Sequence, residues 1–180
     1  MKIRFKIVAM LITVIMMASC NNSKSSKPED SQTTTEESEE SQPAAAETAA
    51  VDLPNLPLTK TDGTQLMANG LQGKTILFFF QPDCDHCQRE TVQMRENLAA
   101  FRDYKVYFIT NAAMPELSKF AQEYKIAFEP NFVFAHATLE DILNTVGPME
   151  SPSLFIYSDK GQLVKVFKGE TPIEQILPAL

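Results

Sequence analysis

The stretch Thr75-Ile76-Leu77-Phe78-Phe79-Phe80-Gln81-Pro82-Asp83-Cys84-Asp85-His86-Cys87 decides how this chain folds. Its opening residues carry no charge and are almost wholly apolar, the pattern of a strand covered on both faces. The residues after Cys87 take up helical spacing, with Met94, Leu98 and Phe101 on one stripe. Cys84 and Cys87 therefore stand on the first turn of a helix that leaves a buried strand. Two cysteines three residues apart at that place can close a disulfide. The unpaired N–H groups and dipole of the helix amino terminus also favour the thiolate of the leading sulfur. Cys84 is thus the candidate nucleophile and Cys87 its resolving partner.

Working outward, Val106-Tyr107-Phe108-Ile109 is a second buried-type strand, so strand, helix and strand imply a parallel crossover. Ahead of it, Leu56 to Met67 with the turn signal Thr61-Asp62-Gly63 predicts a small hairpin. Beyond it, a helix is predicted from near Pro115 with Leu117, Phe120, Ala121 and Tyr124 on one face, then a short strand at Phe132-Val133-Phe134. Thr138 and Asp141 form a capping pair for a third helix, whose Leu139, Ile142, Leu143 and Val146 are expected to pack into the core and which ends at Gly147-Pro148. Ser153 to Tyr157, the turn Asp159-Lys160-Gly161 and Leu163 to Phe167 make the clearest hairpin. A last helix is predicted to open at Thr171-Pro172, with Glu174 completing a capping box and Ile173, Ile176, Leu177 and Leu180 facing inward. The fold class is α/β, a central mixed sheet flanked by helices.

Residues 1–19 read as a signal peptide: Lys2, Arg4 and Lys6 precede an apolar run from Ile7 to Met17, then the small pair Ala18-Ser19. That run is shorter than the roughly 20 residues needed to cross a bilayer. Residues 20–50 are rich in Ser, Thr, Glu, Gln, Ala and Pro and lack aromatic residues and apolar periodicity, so they are expected to be a disordered acidic linker. Residues 51–180 are one domain of ordinary size.

The 180-residue chain carries 16 basic and 23 acidic residues, a formal net charge of −7. Loss of the three basic residues of the signal leaves 13 basic against 23 acidic and a net charge of −10. An acidic product without a basic cluster argues against nucleic acid as a partner. Export places the domain in an oxidising compartment, where a cysteine pair can hold a disulfide.

These residues resemble the thioredoxin superfamily, and more closely its membrane-tethered, TlpA-like branch of extracytoplasmic thiol-disulfide oxidoreductases. Gly73-Lys74 leads the strand into the Cys-x-x-Cys helix, Pro152 in Ser151-Pro152-Ser153 stands before the terminal hairpin, and the strand and helix between Phe132 and Val146 match that branch's insertion. Met17-Ala18-Ser19-Cys20 resembles the lipobox of bacterial lipoproteins, which implies lipid on Cys20 and a membrane anchor on the extracytoplasmic side. The resemblance implies a thioredoxin-like fold and a monomer that acts on protein disulfides without a cofactor or metal. A membrane thiol carrier would supply its electrons. It also implies a cis Pro152 facing the sulfurs and a Ser151 that pairs with substrate backbone.

Three departures qualify what carries over. Asp83 stands where the family has a bulky residue, and the chain has no tryptophan; Asp83 is expected to be a helix N-cap. Phe78 occupies the position of the buried acid of many thioredoxins, so deprotonation of Cys87 is expected to need water or another residue. Within the tetrad, His86 resembles the histidine of the oxidising DsbA-type motif and favours a thiolate, whereas the carboxylate of Asp85, and that of Asp83 beside it, disfavour one. The sequence leaves the direction open, and the architecture inclines it toward reduction.

Other readings use the same residues. A module binding or delivering copper or zinc would draw on Cys84, Cys87 and either His86 or His136, but Cys-x-x-Cys supplies only two sulfur ligands and the histidines have no paired spacing. A peroxidase of the peroxiredoxin type would share the fold, with a Pro-to-Cys spacing that Pro82 and Cys84 do not reproduce. A binding domain could keep Cys84–Cys87 as a structural disulfide, although so small a ring constrains little of the unfolded chain.

Overall fold

The computed structural model describes residues 52–180. The signal peptide and linker expected from the sequence, with Cys20 and both expected boundaries, lie outside the described residues. Seven strands, β1 (Pro57–Lys60), β2 (Gln65–Met67), β3 (Thr75–Phe79), β4 (Lys105–Thr110), β5 (Phe132–His136), β6 (Ser153–Tyr157) and β7 (Leu163–Lys168), form one mixed sheet in the order β2-β1-β5-β4-β3-β6-β7. Strands β3, β4 and β5 run parallel, and the outer pairings are antiparallel. The helices are α1 (Asp85–Glu96), α2 (Met114–Glu123), α3 (Leu139–Thr145) and α4 (Ile173–Ile176).

Every residue of β3 is buried, because its alternating side chains enter two separate cores. Ile76, Phe78 and Phe80 join Phe108, Phe120 and Met94 beneath α1, α2 and α4, while Leu77 and Phe79 join Leu58, Ile109 and Ile142 on the α3 side. The first core is aromatic: the rings of Phe78 and Phe108 meet edge to face at 5.1 Å, and Phe80 packs on Phe120 at 4.6 Å. Such pairs add about 0.5–1.5 kcal/mol beyond the area they bury.

The helix ends differ from the sequence expectations for local reasons. α1 stops at Glu96, so Leu98 and Phe101 lie on a following 3-10 turn, although Phe101 is still buried. Thr138 caps α3 as expected, its hydroxyl accepting from Asp141 N–H at 3.0 Å. The α3 stripe is only half a core stripe, however, since Ile142 is buried while Leu139 and Leu143 are 54% and 46% exposed. Thr171 does not cap α4; Pro172 holds that position without a side-chain bond, and the helix has only four residues before a 3-10 turn at Leu177–Ala179.

The topology gathers the site at one end of the sheet. β6 runs antiparallel to β3 with Phe79 opposite Ser153, so the segment before β6 lies beside the exit of β3. β7 runs antiparallel to β6 with Lys168 opposite Ser153, which brings the β7 exit to the same end.

Candidate active site

The loop from Phe80 to Cys84 is held by side-chain hydrogen bonds to Asn111 and from α1. Gln81 Nε2 donates to Asn111 Oδ1 at 2.5 Å, and Gln88 Nε2 donates back to the Pro82 carbonyl at 2.9 Å. Cys84, not Asp83, is the N-cap of α1, and its Sγ accepts from Cys87 N–H at 3.3 Å. The cap role expected of Asp83 is therefore corrected, because the sulfur sits over the orphan amides where a carboxylate would have capped. Asp83 is exposed instead, on the rim of a 510 Å³ cleft that it shares with Gln81, Pro82, Glu116 and Lys119.

The two sulfurs have unequal surroundings. Cys84 is partly exposed and Cys87 fully buried, and both are thiols. Burial pushes the Cys87 thiol far up, and the hydrogen bond with Cys84 adds to that. The Ser151–Pro152 peptide is cis, Pro152 is buried, and the Ser151 carbonyl accepts from Cys84 Sγ at 3.7 Å. Beside Ser151 lies a 90 Å³ notch lined by apolar groups that include Phe79, Ile109, Leu143 and Met149.

Asp85 is exposed at the first turn of α1 and, among the described residues, makes no side-chain hydrogen bond. His86 is exposed too, yet its Nδ1 lies 2.5 Å from Glu170 Oε2. Arg89 grips the same carboxylate through Nε at 2.8 Å and a terminal nitrogen at 2.6 Å. The hydrogen bond from Arg89, and then the one with His86, hold Glu170 down to about 2. His136, at the end of β5, is not in this cluster. Among the described residues, no group of three or more His, Cys, Asp or Glu is arranged to hold a metal ion.

The residue that sequence reasoning missed is Glu90. It is 1% exposed on the inward face of α1, three residues after Cys87, and burial pushes its carboxyl up to about 7. Thr171 N–H donates to its Oε2 at 2.9 Å. Its charge also raises the Cys87 thiol. Phe78 does fill the core position expected for an acid, but the buried acid comes from the helix side. The signal was present as a glutamate on the stripe formed by Cys87, Thr91 and Met94. Glu170 carried no local signal, because 84 residues separate it from His86.

The seven-stranded sheet with a Cys-x-x-Cys helix amino terminus at its open end is the thioredoxin-like fold. Residues 49–166 match the AhpC/TSA family, and the chain belongs to it. It is a thiol-disulfide protein of the redoxin type, with Cys84 and Cys87 as its pair. Among curated proteins no sequence matches. Among solved structures, a secreted Mycobacterium tuberculosis disulfide oxidoreductase homologous to E. coli DsbE is similar at 17% identity and a TM-score of 0.59, over 69% of this chain and 93% of that one. Arabidopsis thaliana ScoI with copper bound is similar at 17% identity and 0.57, over 72% and 94%. A peroxiredoxin-like protein from Aquifex aeolicus is similar at 13% identity and 0.59, over 71% and 83%. At these identities the likeness is one of fold.

Proposed function

We propose that this protein is a TlpA-like thiol-disulfide reductase for exported proteins, lipid-anchored through Cys20 on the extracytoplasmic side of a bacterial membrane. The observation that carries this reading is the asymmetry of the pair: an accessible Cys84 sulfur on the helix amides and, 3.3 Å from it, the amide of a buried Cys87. The Cys84 thiolate attacks one sulfur of a substrate disulfide, and the other substrate sulfur leaves as a thiolate. Cys87 then loses its proton and attacks Cys84 Sγ, which releases the second substrate thiol and leaves the Cys84–Cys87 disulfide. Two electrons pass to the substrate, and a membrane thiol carrier restores the dithiol.

Glu90 supports the second step. A carboxyl that titrates at about 7, one helical turn from Cys87, is suited to accept the proton of a thiol whose burial opposes ionisation. Ser151, beside Cys84 and next to the apolar notch, supports a role in holding an extended substrate strand. The reading takes the protein as a working monomer that uses no cofactor.

The test is the reduction potential of the pair in a soluble protein beginning near Val51, with thiols trapped by alkylation across graded redox buffers. A value near roughly −270 mV supports a reductase, and one near roughly −120 mV makes the protein an oxidase. A second reading, a peroxidase, is supported by the fold shared with the peroxiredoxin-like protein from Aquifex aeolicus. Rapid oxidation of Cys84 by stoichiometric peroxide, with slow reduction of protein disulfides, would establish it instead.

A further inference from the structure

The segment Gly169-Glu170-Thr171, which leaves β7, touches Pro152, the exposed side chains of α1 and the buried Glu90. Gly169 N–H donates to the Pro152 carbonyl at 2.8 Å. Glu170 binds His86 and Arg89, and Thr171 N–H binds Glu90 at 2.9 Å. Gly169 has φ +75° and an added Cβ there would meet Glu150 Oε2 at 3.0 Å, so the close turn that aims Glu170 at α1 favours glycine.

The triad also holds His86 whether or not Nδ1 carries a proton. With a proton on Nδ1 the ring donates to Glu170 Oε2 at 2.5 Å; without it, Nδ1 accepts from Arg89 at 2.8 Å. The imidazole of the redox tetrad is therefore anchored from outside the tetrad. Arg89 carries a permanent charge that also interacts with Cys84. The carboxylate of Glu170 offsets that charge. The other charged groups around the cluster are Asp85 and Glu90 on α1 and Glu150 ahead of Pro152.

We propose that Glu170 is a positioning residue of the redox pair, which fixes His86 and offsets Arg89 so that the Cys84 thiolate is less favoured and the dithiol is a stronger reductant. This rests on the reductase reading above. The physical reason is linkage: whatever stabilises the thiolate stabilises the reduced form, and a neutralised arginine stabilises it less.

The experiment equilibrates the protein with glutathione, in which the protein disulfide and two glutathione thiols exchange for the protein dithiol and one glutathione disulfide. It is run at pH 8, where the Arg89 guanidinium keeps its charge. Glu170→Gln is expected to move this equilibrium about fivefold toward the dithiol, roughly 20 mV for a two-electron couple. The pH midpoint of Cys84 alkylation should fall with it. Glu170→Asp should restore most of the wild-type constant, and Arg89→Gln should move it toward the disulfide, which keeps the test available if Glu170→Gln does not fold. An equilibrium within about twofold of wild type in Glu170→Gln and Arg89→Gln, with normal exchange, overturns this role and leaves the reductase reading standing. A wild-type pair that never equilibrates with glutathione overturns both.

Discussion

The two faces of α1 treat the same chemical group in opposite ways. On the outward face, Glu170 meets Arg89 and His86 and its carboxyl is held down to about 2; on the inward face, Glu90 is stripped of water and pushed up to about 7. One carboxylate is stabilised by partners that solvent partly screens, and the other is destabilised by burial that a single amide hydrogen bond only partly offsets. One helix thus meets an ion-paired carboxylate on the side of its accessible sulfur and carries a buried carboxyl one turn from its buried sulfur.

The sharpest break of that comparison is at the sulfurs themselves. Cys84→Ser is expected to lower disulfide reduction on the order of a thousandfold or more, whereas Cys87→Ser should accumulate mixed disulfides detectable by non-reducing electrophoresis and mass spectrometry. Wild-type turnover by Cys84→Ser would remove the outward sulfur from the mechanism.

Next comes the apolar support of the inward face. Met94 is fully buried between α1 and the sheet, and Met94→Ala is expected to lower unfolding stability by about 2–5 kcal/mol in urea.

The third test separates the two carboxylates by pH. Glu90 keeps its proton in the folded protein up to about 7, against an ordinary value of 4.5, so the folded state binds more protons across that window. Stability is therefore lost as pH rises from about 4.5 through about 7, with an upper limit on the order of 3 kcal/mol at 1.36 kcal/mol per pH unit. Glu90→Gln should abolish this slope and be more stable than wild type at pH 8, while slowing release of the mixed disulfide. An unchanged slope would show that Glu90 does not titrate in the fold. The Glu170 contribution has the opposite sign, since it is present above about 4.5 and disappears as pH falls through about 2.

The smallest effect belongs to the outward ion pair as a stabilising device. Arg89 and Glu170 side chains are 54% and 25% exposed, so Arg89→Ala should leave the urea unfolding midpoint nearly unchanged at neutral pH. A clear fall in the midpoint would mean that the pair holds the β7 exit in place, in addition to any effect on potential.

Much of this architecture was legible in short-range pattern. The unbroken apolar run of β3, the turn residues Asp159-Lys160-Gly161 and the Thr138 cap each act within a few residues, and the elements stand where those patterns put them. The Cys84–Cys87 pair was legible for the same reason, because a three-residue spacing on a helix start is a local property. The failures were also local rules overridden by neighbours. Asp83 lost the cap to a sulfur, Thr171 turned its hydroxyl to the Gly169 carbonyl instead of capping α4, and Leu139 and Leu143 stayed partly in solvent.

What the sequence determined by itself was a buried strand feeding a two-cysteine helix within an α/β domain, since strand and helix periodicity and helix-end chemistry are written in adjacent residues. Only the tertiary structure decided which groups surround the sulfurs. Antiparallel β6 and β7 return Ser151, Pro152 and Glu170 to the first turns of α1 from as many as 84 residues away, and the packing of α1 on the sheet turns Glu90 from an ordinary helix glutamate into a buried acid. Contacts of that span depend on strand order and on which helix face is covered, and no local pattern encodes either.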